Sequence, residues 1–114
     1  MATIKSFSDL QQSKKLADIL SHESADGHWY NSSLGLTYSQ EAKDFYETTN
    51  NEYLPAWSLS ALISVLPKIH KLKPILDLEE NSIQYSGIDL YVVADNLIDA
   101  CVAIIERLHE LNLL

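Results

Sequence analysis

Apolar and polar positions follow two periods along this chain, and each change of period marks an element. The clearest stretch lies near the end. Leu97, Ile98, Ala100, Cys101, Val102, Ile104, Ile105 and Leu108 recur at helical spacing, while Asp99, Ala103, Glu106 and Glu110 fall on one narrow polar side. This predicts a helix over 95–111 with Asp95 as its cap. Its apolar arc spans roughly 200°, where a surface helix needs little over about 100°. Such a helix either sits deep in the fold or serves two surfaces.

A second helical period runs through Leu59, Leu62, Ile63 and Leu66. It predicts a helix over 58–66, capped by Ser58 and ended by Pro67, which disfavours helical geometry at the residue before it. Trp57 and Leu62 hold the spacing of a hydrophobic staple. Between the two helices the period falls to two. Leu76 and Leu78 share one face. Ile83 and Tyr85 alternate after a turn at Glu80-Asn81-Ser82. After a second turn at Ser86-Gly87, Ile88, Leu90 and Val92 face one way, and Asp89, Tyr91 and Val93 the other. Short turns between short strands predict an antiparallel meander over about 74–93.

The N-terminal third is less regular. Leu10, Leu16, Ile19 and Leu20 make a thin stripe for a first helix, capped by Ser6 or Ser8 with Asp9 or Gln11 completing a capping box, and fading near Ser21-His22. In residues 22–56, His28-Trp29-Tyr30 and Leu34 to Tyr38 have strand composition. Residues 39–47 suit a short helix, 48–51 a loop, and Leu54 to Ser58 the approach to the following helix. The fold class that follows is α+β: a small three-stranded meander at about 74–93, packed on one face by helices at about 58–66 and 95–111, with an N-terminal helix. At 114 residues the chain is expected to form a single domain, 1–114.

Composition sharpens this picture in two places. Hydrophobic residues make up 46% of the chain, enough for a packed core. The net charge of −8 is unevenly spread, since residues 74–114 carry eight acidic side chains against Arg107 alone. That excess disfavours nucleic acid, whose binding rests on releasing phosphate counterions to Lys and Arg. It suits either a solvated face or a surface that meets a basic partner. The single cysteine cannot close an intrachain disulfide. Met1 to Lys5 lacks the pattern of a signal peptide, and no apolar run approaches the ~18 residues of a membrane span. A cytoplasmic location is the expectation.

Three stretches then stand out together: Pro55-Ala56-Trp57-Ser58-Leu59-Ser60-Ala61-Leu62, Leu66-Pro67-Lys68-Ile69 and Asn96-Leu97-Ile98-Asp99-Ala100-Cys101-Val102. In order and spacing the chain resembles, over roughly residues 50–114, a family of small uncharacterised proteins of phages, prophages and mobile elements of gut bacteria. Ser24-Ala25-Asp26 is a weaker echo of a Thr-Ala-Asp element of that family. The resemblance implies a genetic setting and no particular chemistry.

The chemical candidates are few. His22, His28, His70 and His109 have no second ligand at metal-binding spacing. Cys101 lies on the broad apolar face, where a thiol is a small hydrophobe. Glu79-Glu80 is a turn pair, and Asp95 and Asp99 read as a cap and a solvated residue. Gly27, Gly35 and Gly87 form no phosphate loop. No catalytic residue, cofactor site or metal site is therefore expected. The aromatic set Trp29, Tyr30, Tyr38, Phe45, Tyr46, Tyr53 and Trp57 is dense, and Trp29, Tyr30, Tyr53 and Trp57 form a candidate interaction surface. The leading expectation is a non-enzymatic protein-interaction module of a phage or mobile element. One alternative is an acidic mimic of nucleic acid that occupies a basic host protein. Another is a small enzyme with a dispersed site around Asp26, His28 and Tyr30. A homodimer through Ile98, Val102 and Ile105 is a further candidate, because one three-stranded sheet does not cover so broad an apolar helix.

Overall fold

A computed structural model of the chain describes residues 6–30, 33–36 and 53–114. Two local patterns account for its first element. Asp9 accepts a hydrogen bond from the Gln12 backbone at 2.8 Å, and the Gln12 side chain accepts from the Asp9 backbone at 3.0 Å. This capping box opens α1 (Leu10–Ile19). The cap lies beyond the expected Ser6 or Ser8 because Ser8 is drawn into the interior, where its hydroxyl meets that of Ser13. A short 3-10 turn, His22–Ser24, follows α1.

The fold is α+β with two small antiparallel sheets. β1 (Gly27–Tyr30) pairs with β2 (Ser33–Leu36) on one side and β3 (Tyr53–Ala56) on the other. β3 corrects the expectation that Leu54 to Ser58 merely leads into a helix. A proline inside a strand is tolerated at an edge, and β3 is an edge strand with Pro55 opposite His28. The second sheet is the expected meander: β4 (Ile75–Asp77), β5 (Ser82–Tyr85) and β6 (Leu90–Val93) in sequential order. The helix and loop expected over 39–51 lie outside the described residues.

Ser58 caps α2 (Leu59–Val65), accepting from the Ala61 backbone at 3.2 Å, and the helix stops before Pro67. α3 (Leu97–Glu110) is the structural centre. It packs against β5 and β6 on one side and against α2 and α1 elsewhere. Its cap is Asn96, not Asp95. The Asn96 amide accepts from the Asp99 backbone at 2.9 Å and donates to the Asp99 carboxylate at 3.0 Å, while Asp95 stays exposed. Asp99 is not merely solvated. It also accepts from Gln12 Nε2 at 2.8 Å and so ties α3 to α1. At its far end Asn112 takes a left-handed conformation (φ 59°), and Leu113 and Asn112 donate to Leu108 and His109 in a Schellman arrangement.

One buried cluster joins Leu16, Trp57 and Leu62 to Ile83, Tyr85 and Leu90 through α3. Leu62, Leu90, Leu97, Cys101, Ile104 and Leu108 are buried, while Leu66 and Val92 are half-buried beside the cluster. Leu78 departs from the alternation with Leu76, because it lies in the β4–β5 turn and faces solvent.

The loop between α2 and β4 holds a strained feature. His70 and Lys71 both have positive φ (52° and 66°), and Ile69 and Leu72 exchange backbone hydrogen bonds at 2.9 Å across them. Two left-handed central residues define a turn that favours Asn-Gly. Lys71→Gly is therefore expected to stabilise the fold by about 1 kcal/mol, read as a raised urea midpoint. A lowered midpoint would mean that the turn geometry is misread.

Candidate functional site

The aromatic and polar residues of the N-terminal half meet in a partly buried network. Ser8 donates its backbone N–H to the Trp57 carbonyl at 2.8 Å, and the Ser8 hydroxyl accepts from the Trp57 backbone at 3.1 Å. Trp29 Nε1 donates to the Ser8 carbonyl at 2.9 Å, and Trp57 Nε1 to the Ser24 hydroxyl at 2.9 Å. Asp26 accepts from both the backbone N–H, at 2.9 Å, and the hydroxyl of Ser58. Three segments distant in sequence, around residues 8, 24–29 and 57–58, are fastened together at this point. Sequence reasoning singled out Trp29, Trp57, Asp26 and Ser58, gave Ser8 only a capping role and Ser24 no structural role, and missed Ser13, because a serine carries no periodic signal.

This geometry decides what the network does. Trp57 is fully buried and belongs to the core, so it cannot present an interaction surface as expected. Trp29 is half-buried with its ring nitrogen engaged. Tyr30 and Tyr53 sit opposite each other in β1 and β3, and their side chains lie outside the described residues. Asp26 holds the cap residue of α2. His28 is half-buried on β1, and burial lowers its pKa. The Asp26 carboxylate accepts from the backbone and hydroxyl of Ser58, an arrangement that serves helix capping. Among the described residues no three His, Cys, Asp or Glu side chains gather in a way that would hold a metal.

Cys101 is fully buried, and burial pushes its thiol up to about 12. A thiol held neutral is a poor nucleophile. Tyr85, also buried, donates to the Pro67 carbonyl at 2.7 Å, and burial first and the nearby Cys101 second push its hydroxyl up to about 12. Both folded pKa values lie above the ordinary 9.0 and 10.0. Deprotonation therefore favours the unfolded chain. The contribution of these groups is intact below about pH 9 and is lost as pH rises toward about 12. Urea midpoints should stay level up to about pH 9 and fall beyond it; a level profile to about pH 11 would contradict this account.

The excess acid of residues 74–114 divides among three places. Asp77, Glu79, Glu80 and Asp95 gather at the β4–β5 end of the meander, where the Asn81 amide donates to the Asp95 carbonyl at 3.2 Å. Asp89 lies in the β5–β6 turn at the opposite end. Asp99, Glu106 and Glu110 line α3, where Glu106 approaches Lys15 at 3.9 Å and Glu110 approaches Arg107 at 3.1 Å. A mimic of nucleic acid needs one continuous acidic track, whereas these eight side chains are spread over two turns, a strand end and a helix.

Ile98, Val102 and Ile105 are buried within the chain. The premise of a dimer through them, an uncovered patch on α3, does not hold. Apolar surface is exposed elsewhere. On the outer side of the meander Ile75 is 57% exposed, Tyr91 49% and Val93 50%, and Leu78 in the β4–β5 turn is 76% exposed. Register places Ile75, Gln84 and Tyr91 in one row and Asp77, Ser82 and Val93 in the next. Tyr91 donates to the Glu80 carboxylate, which holds the phenol above its usual range. The inner side chains Ile83, Tyr85 and Leu90 are buried and Leu76 and Val92 half-buried, so apolar side chains stand on both faces of this sheet, those on the outer face interspersed with Asp77, Ser82 and Gln84. Tyr91 and Val93 were placed opposite Leu90 and Val92 by the alternation alone. What they form with Ile75 required strand pairing.

Among the described residues no helix is long and apolar enough to cross a membrane. Comparison with protein-family models, with curated proteins and with solved structures finds no match for this chain.

Proposed function

We propose that this chain is a non-enzymatic protein-interaction module, of the phage or mobile-element setting that its sequence resembles. The observation that carries the reading is the exposed apolar side chains Ile75, Tyr91 and Val93 on one face of the meander, with Leu78 in the adjoining β4–β5 turn. Apolar side chains exposed together on one sheet face have the character of a binding surface. The residues that resemble the mobile-element family do folding work: Trp57 and Leu62 fill the core, Ser58 caps α2, and Ala100, Cys101 and Val102 are buried in α3. Specificity would then rest on residues outside those stretches, among them the exposed sheet face. Affinity capture with the full chain from lysate of the source cells tests the reading. A protein recovered in stoichiometric yield and competed by untagged chain is the expected result. Recovery of none would overturn it.

A further inference from the structure

Among the described residues, the exposed face of the meander ends at an open strand edge. β6 is at the edge of its sheet, with β5 as its neighbour. Ala94 donates to the Asn81 carbonyl at 3.1 Å, and the register pairs Ile83 with Val92 and Tyr85 with Leu90. In an antiparallel pair the residues that exchange hydrogen bonds alternate. The even-numbered residues of β6 therefore bond to β5, and the N–H and C=O groups of Tyr91 and Val93 point away from it. An edge of this kind is a template for another strand, and proteins that do not use it blunt it with Lys, Pro or a bulge. β6, Leu-Tyr-Val-Val, carries none of these.

We infer that β6 is a docking edge for an extended segment of a partner protein, which adds as an antiparallel strand. This placement rests on the reading of the chain as an interaction module. The chemistry of the segment follows from two observations. Alternate side chains of an added strand would lie beside Tyr91 and Val93 on the outer face, so they are apolar. The acidic cluster of Asp77, Glu79, Glu80 and Asp95 stands at the C-terminal end of β6. An antiparallel segment brings its N-terminal end there, so Lys or Arg precedes the apolar alternation. A second copy of this chain fits poorly. Three strands about 4.8 Å apart, β4 of three residues and β5 and β6 of four, present on the order of 200 Å². A stable dimer buries about 800 Å² per partner. Two-fold pairing of β6 with β6 would also lay the acidic end of each copy beside the start of the other strand, where Asp89 carries like charge.

The test uses the full chain and a labelled peptide, Arg-Lys-Arg-Val-Thr-Val-Thr-Val-Thr. Three controls accompany it: a peptide with Glu-Asp-Glu in place of the basic end, one N-methylated at alternate residues, and the Tyr91→Lys/Val93→Lys double variant, whose fold is checked by circular dichroism. Binding should shift the amide resonances of Tyr91 and Val93. The double variant and the N-methylated peptide should each weaken binding by about tenfold or more. Charge reversal, or salt raised from about 50 to about 500 mM, should weaken it several-fold. Absence of binding, binding unchanged in the double variant, or shifts confined to other strands would overturn the proposal. So would self-association of the wild-type chain abolished in the double variant, since the occupant would then be a second copy. A captured partner that binds the double variant at full strength would remove the β6 edge while leaving the interaction reading intact.

Discussion

Replacement of Trp57 by alanine should cost about 3–5 kcal/mol, the range for a fully buried large aromatic. The side chain has no exposed surface and stands where β3, α2 and the N-terminal segment converge. A buried indole removes roughly 150–250 Å² from water, worth about 4–6 kcal/mol as an upper bound. Its Nε1–H also satisfies the Ser24 hydroxyl, although Ser24 keeps a second bond to the Ser21 carbonyl at 2.6 Å. The backbone bonds between residues 8 and 57 survive the substitution, so the loss is chiefly one of packing. Trp57→Phe keeps much of the volume and should cost about 1–2 kcal/mol. Urea denaturation followed by far-ultraviolet circular dichroism separates the two. Equal midpoints for Trp57→Ala and the wild type would place this side chain outside the core. For a domain stable by about 5–15 kcal/mol, the alanine variant sits near the threshold of folding.

Leu108→Ala is the second large effect, at about 2–5 kcal/mol. Leu108 is fully buried on α3, and its carbonyl accepts from Leu113 at 2.8 Å in the turn that ends the helix. The adjacent residue supplies the control. Arg107 is exposed and, among the described residues, pairs with Glu110, so Arg107→Ala should move stability by less than about 0.5 kcal/mol. A large loss at 108 beside almost none at 107 fixes the rotational phase of the helix. The reverse pattern would show that the phase is wrong.

Whatever depends on near neighbours was legible in the amino-acid order. The spacing of Leu59, Leu62 and Leu66, the Ser58 cap and the Pro67 stop define α2 because each acts within a turn or two of chain. The polar stripe of α3 and the alternation through β5 and β6 are likewise local. Only short turns intervene between the strands of the meander, so their pairing followed as well. The tertiary structure decided what joins distant residues. β3 pairs with β1 across more than twenty residues, and Pro55 hid it, since only an edge position makes a proline acceptable there. Ser8 looked like a helix cap and became a buried junction, because the Trp57 backbone and Ser13 offered its hydroxyl partners inside the core. The breadth of the apolar arc on α3 was read correctly, but its meaning depended on what covers it. α1, α2 and the meander surround it, so no dimer is needed to bury Ile98, Val102 and Ile105. The exposed face of Ile75, Tyr91 and Val93 emerged the same way. Periodicity assigns a residue to a side of a strand, but only pairing brings side chains from different strands together. Only the packing of α3 on the opposite side determines which face is left to solvent.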